Sequence, residues 1–135
     1  MPATVLDSFA LIAYFRGETA GLPVRDLLQK ASKADIPVHM TEANYAEVKY
    51  MIVRKDGGAA WQEAAKVLVA LPIEFHPVDR ELADLAADVK SGASLSLADA
   101  FAVALARKHK AELVTGDPEF SQVEGDVKIL WLPHT

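Results

Sequence analysis

Four carboxylates stand in short motifs whose residue types suit a divalent cation. They are Asp7 in VLDSFALIAYF (5–15), Glu47 in TEANYAEV (41–48), Asp99 in SLADAFAVALA (96–106) and Asp117 in LVTGDPEF (113–120). None has a Lys or Arg beside it. Brought together, such acids repel one another, and an oxygen-seeking cation such as Mg²⁺ or Mn²⁺ relieves the repulsion. Asp99 is the most informative of the four. It is the only polar side chain between Leu97 and Ala106, and a carboxylate facing a core is costly unless it is paired or bound to metal. Neutral oxygen groups accompany the acids: Ser8, Thr41, Asn44 and Thr115. They can orient the carboxylates or hold waters beside an ion. Asn44 lies three residues before Glu47, hence on the same helix face.

Each acid also has a purely structural explanation. Asp7 can cap a helix, and Glu47 can be a solvated helix residue. Asp117 before Pro118 suits a turn. Ser96-x-x-Asp99 matches a capping box, with the acid favoured by the helix dipole. Ser8 and Thr41 read equally well as cap and turn residues. The four histidines are spread along the chain, His39 and His76 in strands, His109 at a charged helix end and His134 at the tail. No pair has zinc-ligand spacing, so all four are expected to be structural or surface residues.

Five short β-rich segments alternate with helical patterns. The strands are expected at 3–7, 37–41, 73–78, 112–116 and 127–132, each apolar and bounded by turn residues, as buried parallel strands are. Helices are expected from 8 to 16, opening at Pro23, from Thr41 to about Lys55, around Trp61–Leu68 and Leu82–Val89, and from 96 to 110. The alternation implies an α/β three-layer sandwich around a mostly parallel five-stranded sheet. Neither an internal repeat nor a linker divides residues 1–135, so one domain is expected. Ligands of such sheets bind outside the carboxyl ends of the strands. Asp7, Glu47, Asp99 and Asp117 all fall at that edge.

Half of the chain (51%) is apolar, which excludes a disordered segment and allows a real core. The absence of cysteine excludes disulfides, thiolate zinc sites and a cysteine nucleophile. No apolar run reaches the roughly 18–20 residues that span a bilayer. Asp7 interrupts the N-terminal apolar stretch and no basic lead precedes it, so a signal peptide is not expected; a soluble cytoplasmic protein with no membrane role is. The net charge of −5 argues against a general basic coat for nucleic acid, unless bound cations invert the field locally.

In order and separation, the four acidic motifs resemble the PIN-domain family, most closely the VapC-type ribonuclease toxins of toxin–antitoxin pairs. The likeness spans nearly all 135 residues. It implies that Asp7, Glu47, Asp99 and Asp117 are the catalytic, metal-binding acids, and that Thr115 supports the last of them. Many relatives carry a further Asp or Asn near position 119; here the residue is Glu119. Glu42 is a rival to Glu47, although its place at the helix start suits the dipole. The family implies Mg²⁺- or Mn²⁺-dependent hydrolysis of RNA by activated water, inhibition by a cognate antitoxin, and a homodimer. Arg16, Lys49, Arg54 and Lys55 are candidate phosphate contacts, or charges on a solvated helix face.

Other functions fit less well. An aspartyl phosphatase usually has a second Asp two residues after the first, but Asp7 is followed by Ser8-Phe9. A receiver domain needs an acidic pair and a distal Lys. A non-catalytic protein-binding module of the same fold, or a PIN nuclease of RNA processing, remains open. The helix from Phe9 to Phe15 is apolar all round, and Tyr45, Tyr50, Met51, Ile52 and Val53 crowd the next one. Part of that surface is expected to meet another chain.

Overall fold

The computed structural model describes residues 2–133. Its apolar segments form β1 (Thr4–Leu6), β2 (Val38–Thr41), β3 (Ile73–His76), β4 (Glu112–Thr115) and β5 (Ile129–Trp131) in one sheet of order β3-β2-β1-β4-β5. All four strand pairs are parallel. Helices α1 (Ser8–Phe15), α2 (Gly21–Ala34), α3 (Glu42–Asp56) and α4 (Gly58–Val69) connect the first strands; α5 (Arg80–Gly92) and α6 (Leu97–His109) connect β3 to β4. The α/β three-layer sandwich is therefore the one its sequence implies.

Alternation along the strands builds two cores. Val5 and Leu113 face α5 and α6, where Leu82, Ala86, Phe101, Val103 and Leu105 are buried. Leu6, Met40 and Val114 face the other way, toward Leu11, Val24, Val48 and Trp61. Successive strand side chains point to opposite faces, so both faces of a central strand must be apolar. Much of the apolar circumference of α1 is covered by α2 and α3 of the same chain, leaving Phe9, Ile12, Tyr14 and Phe15 half-buried.

Caps define where helices begin. Asp7, Thr41, Asp79 and Ser96 each accept a hydrogen bond from the backbone N–H three residues on. Helix α2 begins at Gly21, two residues before Pro23, which then occupies the first turn, where no intrahelical N–H is needed. Residues Pro118–Val123 form a 3₁₀ helix where only a turn was expected.

Three of the histidines, spread along the sequence, come together in the fold. His39, His76 and His109 each offer a ring nitrogen within 4.8 Å of the other two. Sequence spacing conceals this, because strand pairing creates it. The register His39↔Glu74 and Thr41↔His76 puts both histidines on one face of neighbouring strands, and the last turn of α6 lays His109 over His39, with ring centroids 4.8 Å apart. His134 lies outside the described residues. Among the described residues, no single helix is long and apolar enough to cross a membrane.

Candidate metal centre

Strand order reverses at β1, with β2 on one side and β4 on the other. The crevice beyond the carboxyl ends of β1 and β4 is where a sheet of this kind exposes a site. Asp7 follows β1, and Thr115 ends β4, two residues before Asp117. Thr115 links them: its Oγ1 donates to Asp7 Oδ2 at 2.5 Å and accepts from the Asp117 N–H at 3.0 Å. Gly116 between them packs under Phe9, whose ring a Cβ there would overlap.

Asp7 is only 1% exposed. Its other oxygen, Oδ1, caps α1 by accepting from the Ala10 N–H at 2.9 Å. Burial nevertheless pushes its carboxyl up to about 7; the bonds from Thr115 and Ala10 oppose that rise, and the charges of Asp99 and Asp117 add to it. Asp99 is half-buried in the first turn of α6. Burial pushes it up to about 6, the Ser96 hydrogen bond opposes, and Glu47, Asp117 and Glu119 repel its charge.

Asp99, Asp117 and Glu119 each offer an oxygen within 4.8 Å of the others. Glu119 thus joins the acids by way of the 3₁₀ turn, where Asp117 Oδ1 accepts its N–H at 2.9 Å. Its sequence signals are its position two residues past Asp117 and the Asp or Asn that the family resemblance places near 119. Glu42 is exposed in the first turn of α3, where it suits the helix dipole.

Asn44 fastens the remaining pieces. It is fully buried. Its Nδ2 donates to Ser8 Oγ (3.0 Å) and to the Ala98 carbonyl (3.1 Å), while its Oδ1 accepts from Thr41 Oγ1 (2.5 Å). One amide therefore ties the starts of α1, α3 and α6 together beside three of the acids.

The donor set fits a hard divalent cation. Among the described residues, none of Asp7, Glu47, Asp99, Asp117 and Glu119 forms an ion pair with a basic side chain. A group of carboxylates, partly desolvated and lacking any counter-charge, is what Mg²⁺ or Mn²⁺ neutralises.

The four basic candidates do not join this cluster. Arg16 pairs with Asp56 (2.9 Å) and Glu18 (3.0 Å) at the far end of α1. Lys49 lies over the Trp61 ring, 5.9 Å from its centroid. Arg54 and Lys55 occupy the last turn of α3, roughly 10 Å along the axis from Glu47.

The PIN domain family model matches residues 4–126. The chain belongs to the PIN-domain family. No curated protein matches it by sequence. Among solved structures, this PIN domain is similar to VapBC2 from Rickettsia felis bound to a DNA fragment from its promoter, at TM-score 0.75 and 12% identity over 97% of this chain and 99% of that one. It is similar to VapC20 of Mycobacterium tuberculosis, described as a sarcin–ricin loop cleaving toxin, at TM-score 0.66 and 20% identity over 88% and 93%. It is also similar to VapBC-5 of Mycobacterium tuberculosis, at TM-score 0.63 and 22% identity over 99% and 100%. At these identities the likeness is one of fold.

Proposed function

We propose that this PIN domain is a metal-dependent endoribonuclease, acting in the cytoplasm as the toxin of a toxin–antitoxin pair. The observation that carries the reading is the set of carboxylates without counter-charges at the switch of strand order. Asp7, Glu47, Asp99 and Asp117 would hold Mg²⁺ or Mn²⁺. When bound, the ion supplies an acidified water and neutralises charge on the phosphodiester and its leaving oxygen.

The chain's own work is placement. Thr115 holds the carboxylates following β1 and β4 in one arrangement, and Asn44 fixes the helix starts that carry Asp99 and Glu47. The Asp7 carboxyl gives up its proton as the site fills. No protein nucleophile is needed.

A cognate antitoxin and a second copy of the chain are the proposed partners. The solved relatives named VapBC support the first. Tyr50 and Val53 on α3 and Val67 and Val69 on α4 are exposed apolar side chains suited to such contacts. RNA is the proposed substrate, and its phosphates would be met by basic groups other than the Arg16 already paired with Asp56.

The test is cleavage of a mixed RNA panel by the purified protein and by Asp99→Asn, with Mg²⁺, Mn²⁺ or EDTA. Cuts that need metal and drop at least 100-fold in the variant support the reading. Equal cutting by both proteins, or none by the wild type with either metal, overturns it.

A further inference from the structure

The histidine cluster lies away from the carboxylate edge. Asp99 and His109 are ten residues apart on α6, a rise of about 15 Å. His39 Nδ1 is 2.9 Å from His76 Nε2, and Glu74 Oε2 lies 3.2 Å from the first and 3.6 Å from the second. His109 Nε2 is buried and has no hydrogen-bond partner among the described residues.

Hydrogen bonding alone does not satisfy this group. A single proton on His39 Nδ1 can serve either His76 or Glu74. If it goes to Glu74, the His39–His76 contact is no longer a bond to His39 as acceptor. If His76 donates to His39, Glu74 faces the lone pair of the His39 nitrogen. In neither arrangement does His109 Nε2 gain a partner.

A metal ion would take a lone pair from each of these four residues at once. Zinc bound at about 2.0–2.1 Å by nitrogen and oxygen in a tetrahedron has its ligand atoms about 3.3 Å apart. The three separations bracket that value, and a ring nitrogen of His109 lies within 4.8 Å of one on each of the other two histidines. We propose that His39, His76 and His109, with Glu74 as the fourth ligand, bind Zn²⁺ in a site separate from the carboxylate centre.

Three imidazoles and one carboxylate suit a borderline cation rather than Mg²⁺. Burial lowers the His39 and His76 imidazoles below their usual range, which favours the neutral form that metals bind. The side chains of His39 and His76 are 13% and 19% exposed and Glu74 55%, so the site opens to solvent. The ion would pin the edge strand β3 to β2 and to the last turn of α6. It is a structural clamp, independent of the RNA-cleaving role proposed above.

The test is titration of the metal-free protein with Zn²⁺ by calorimetry, and with Co²⁺ by visible absorption, in the presence of millimolar Mg²⁺. Wild type, Asp99→Asn, His76→Gln and His109→Gln are compared, with circular dichroism to verify that each is folded. One equivalent of Zn²⁺ is expected in the wild type and in Asp99→Asn, with affinity reduced at least tenfold in each folded histidine variant. Tetrahedral Co²⁺ bands should follow the same pattern, and Zn²⁺ should raise the wild-type Tm. Three results overturn the proposal: no equimolar uptake, uptake indifferent to the histidine substitutions, or uptake lost in Asp99→Asn. His76 is at the sheet edge and partly exposed, so its variant remains a fair test if His109→Gln fails to fold.

Discussion

Asp7 holds a proton that an exposed aspartate would have lost. The folded chain keeps it up to about pH 7, whereas the unfolded chain releases it near 3.8. Between those values the native state binds more protons, so the Asp7 contribution to stability falls as pH rises through that window and is flat above it. Metal-free wild type is therefore expected to lose stability relative to Asp7→Asn between about pH 4 and pH 7. The gap should reach on the order of a few kcal/mol. Chemical denaturation of both proteins across that range, in EDTA, measures it, and the histidine titrations common to both cancel. A gap that is constant with pH would contradict the picture of a desolvated carboxyl.

Thr115 acts on the same proton from the other side. Its hydroxyl stabilises the ionised form of Asp7. Replacing it by valine should raise the Asp7 carboxyl further and weaken Mn²⁺ binding about tenfold at pH 7. Because the loss is one of ionisation, the affinity should recover toward wild type as pH rises toward 9. A deficit that persists unchanged would mean that Thr115 matters for shape alone.

At the scale of elements, the joints carry the strain of positioning. A Cβ at Gly21 would lie 2.5 Å from the Ala13 carbonyl oxygen and 2.7 Å from its carbon. Both are backbone atoms, so α1 and α2 would have to separate. Gly21→Ala is expected to destabilise by about 1–3 kcal/mol, read as a lower Tm. Asn44→Ala should remove about 2–4 kcal/mol, since it strands Ser8, Thr41 and the Ala98 carbonyl in a dry interior. RNA cleavage should fall more than stability does, as the starts of three helices lose their common tie.

These elements show how far local chemistry carries a reading. Apolar runs between turn residues mark β1, β2 and β4, because a strand buried on both faces has little room for polar side chains, while the edge strands β3 and β5 are only partly buried and are marked by the turns that bound them. Ser96, Thr41 and Asp7 announce helix starts, because capping is a bond between near neighbours in the chain. Asp7, Asp99 and Asp117 could be assigned to one edge by connectivity alone, since each stands at a strand end or helix start, and Glu47 by its place within the first two turns of α3. What escaped depends on pairing between distant segments. His39 meets His76 only through the β2–β3 register, Arg16 meets Asp56 only through the packing of α1 on α3, and Glu119 turns toward Asp99 only through a 3₁₀ turn that Pro118 opens.

At the scale of the whole molecule, the order of the strands differs from the order of their synthesis. β1 sits in the middle of the sheet, and its second neighbour, β4, comes near the end of the chain. The Thr115–Asp7 hydrogen bond joins residues 108 apart in sequence. A growing chain that has reached residue 110 already carries Asp7, Glu47 and Asp99, yet lacks the strand that covers one edge of β1 and the threonine that sets Asp7. Such a chain is expected to be inert toward RNA and prone to pair its open strand edge with others. Expression of residues 1–110 beside the full chain, compared for cleavage and for sedimentation, checks this. The carboxylate edge is thus completed late in the chain, and such a stalled or truncated copy would lack Thr115 and Asp117, and with them the proposed cutting site.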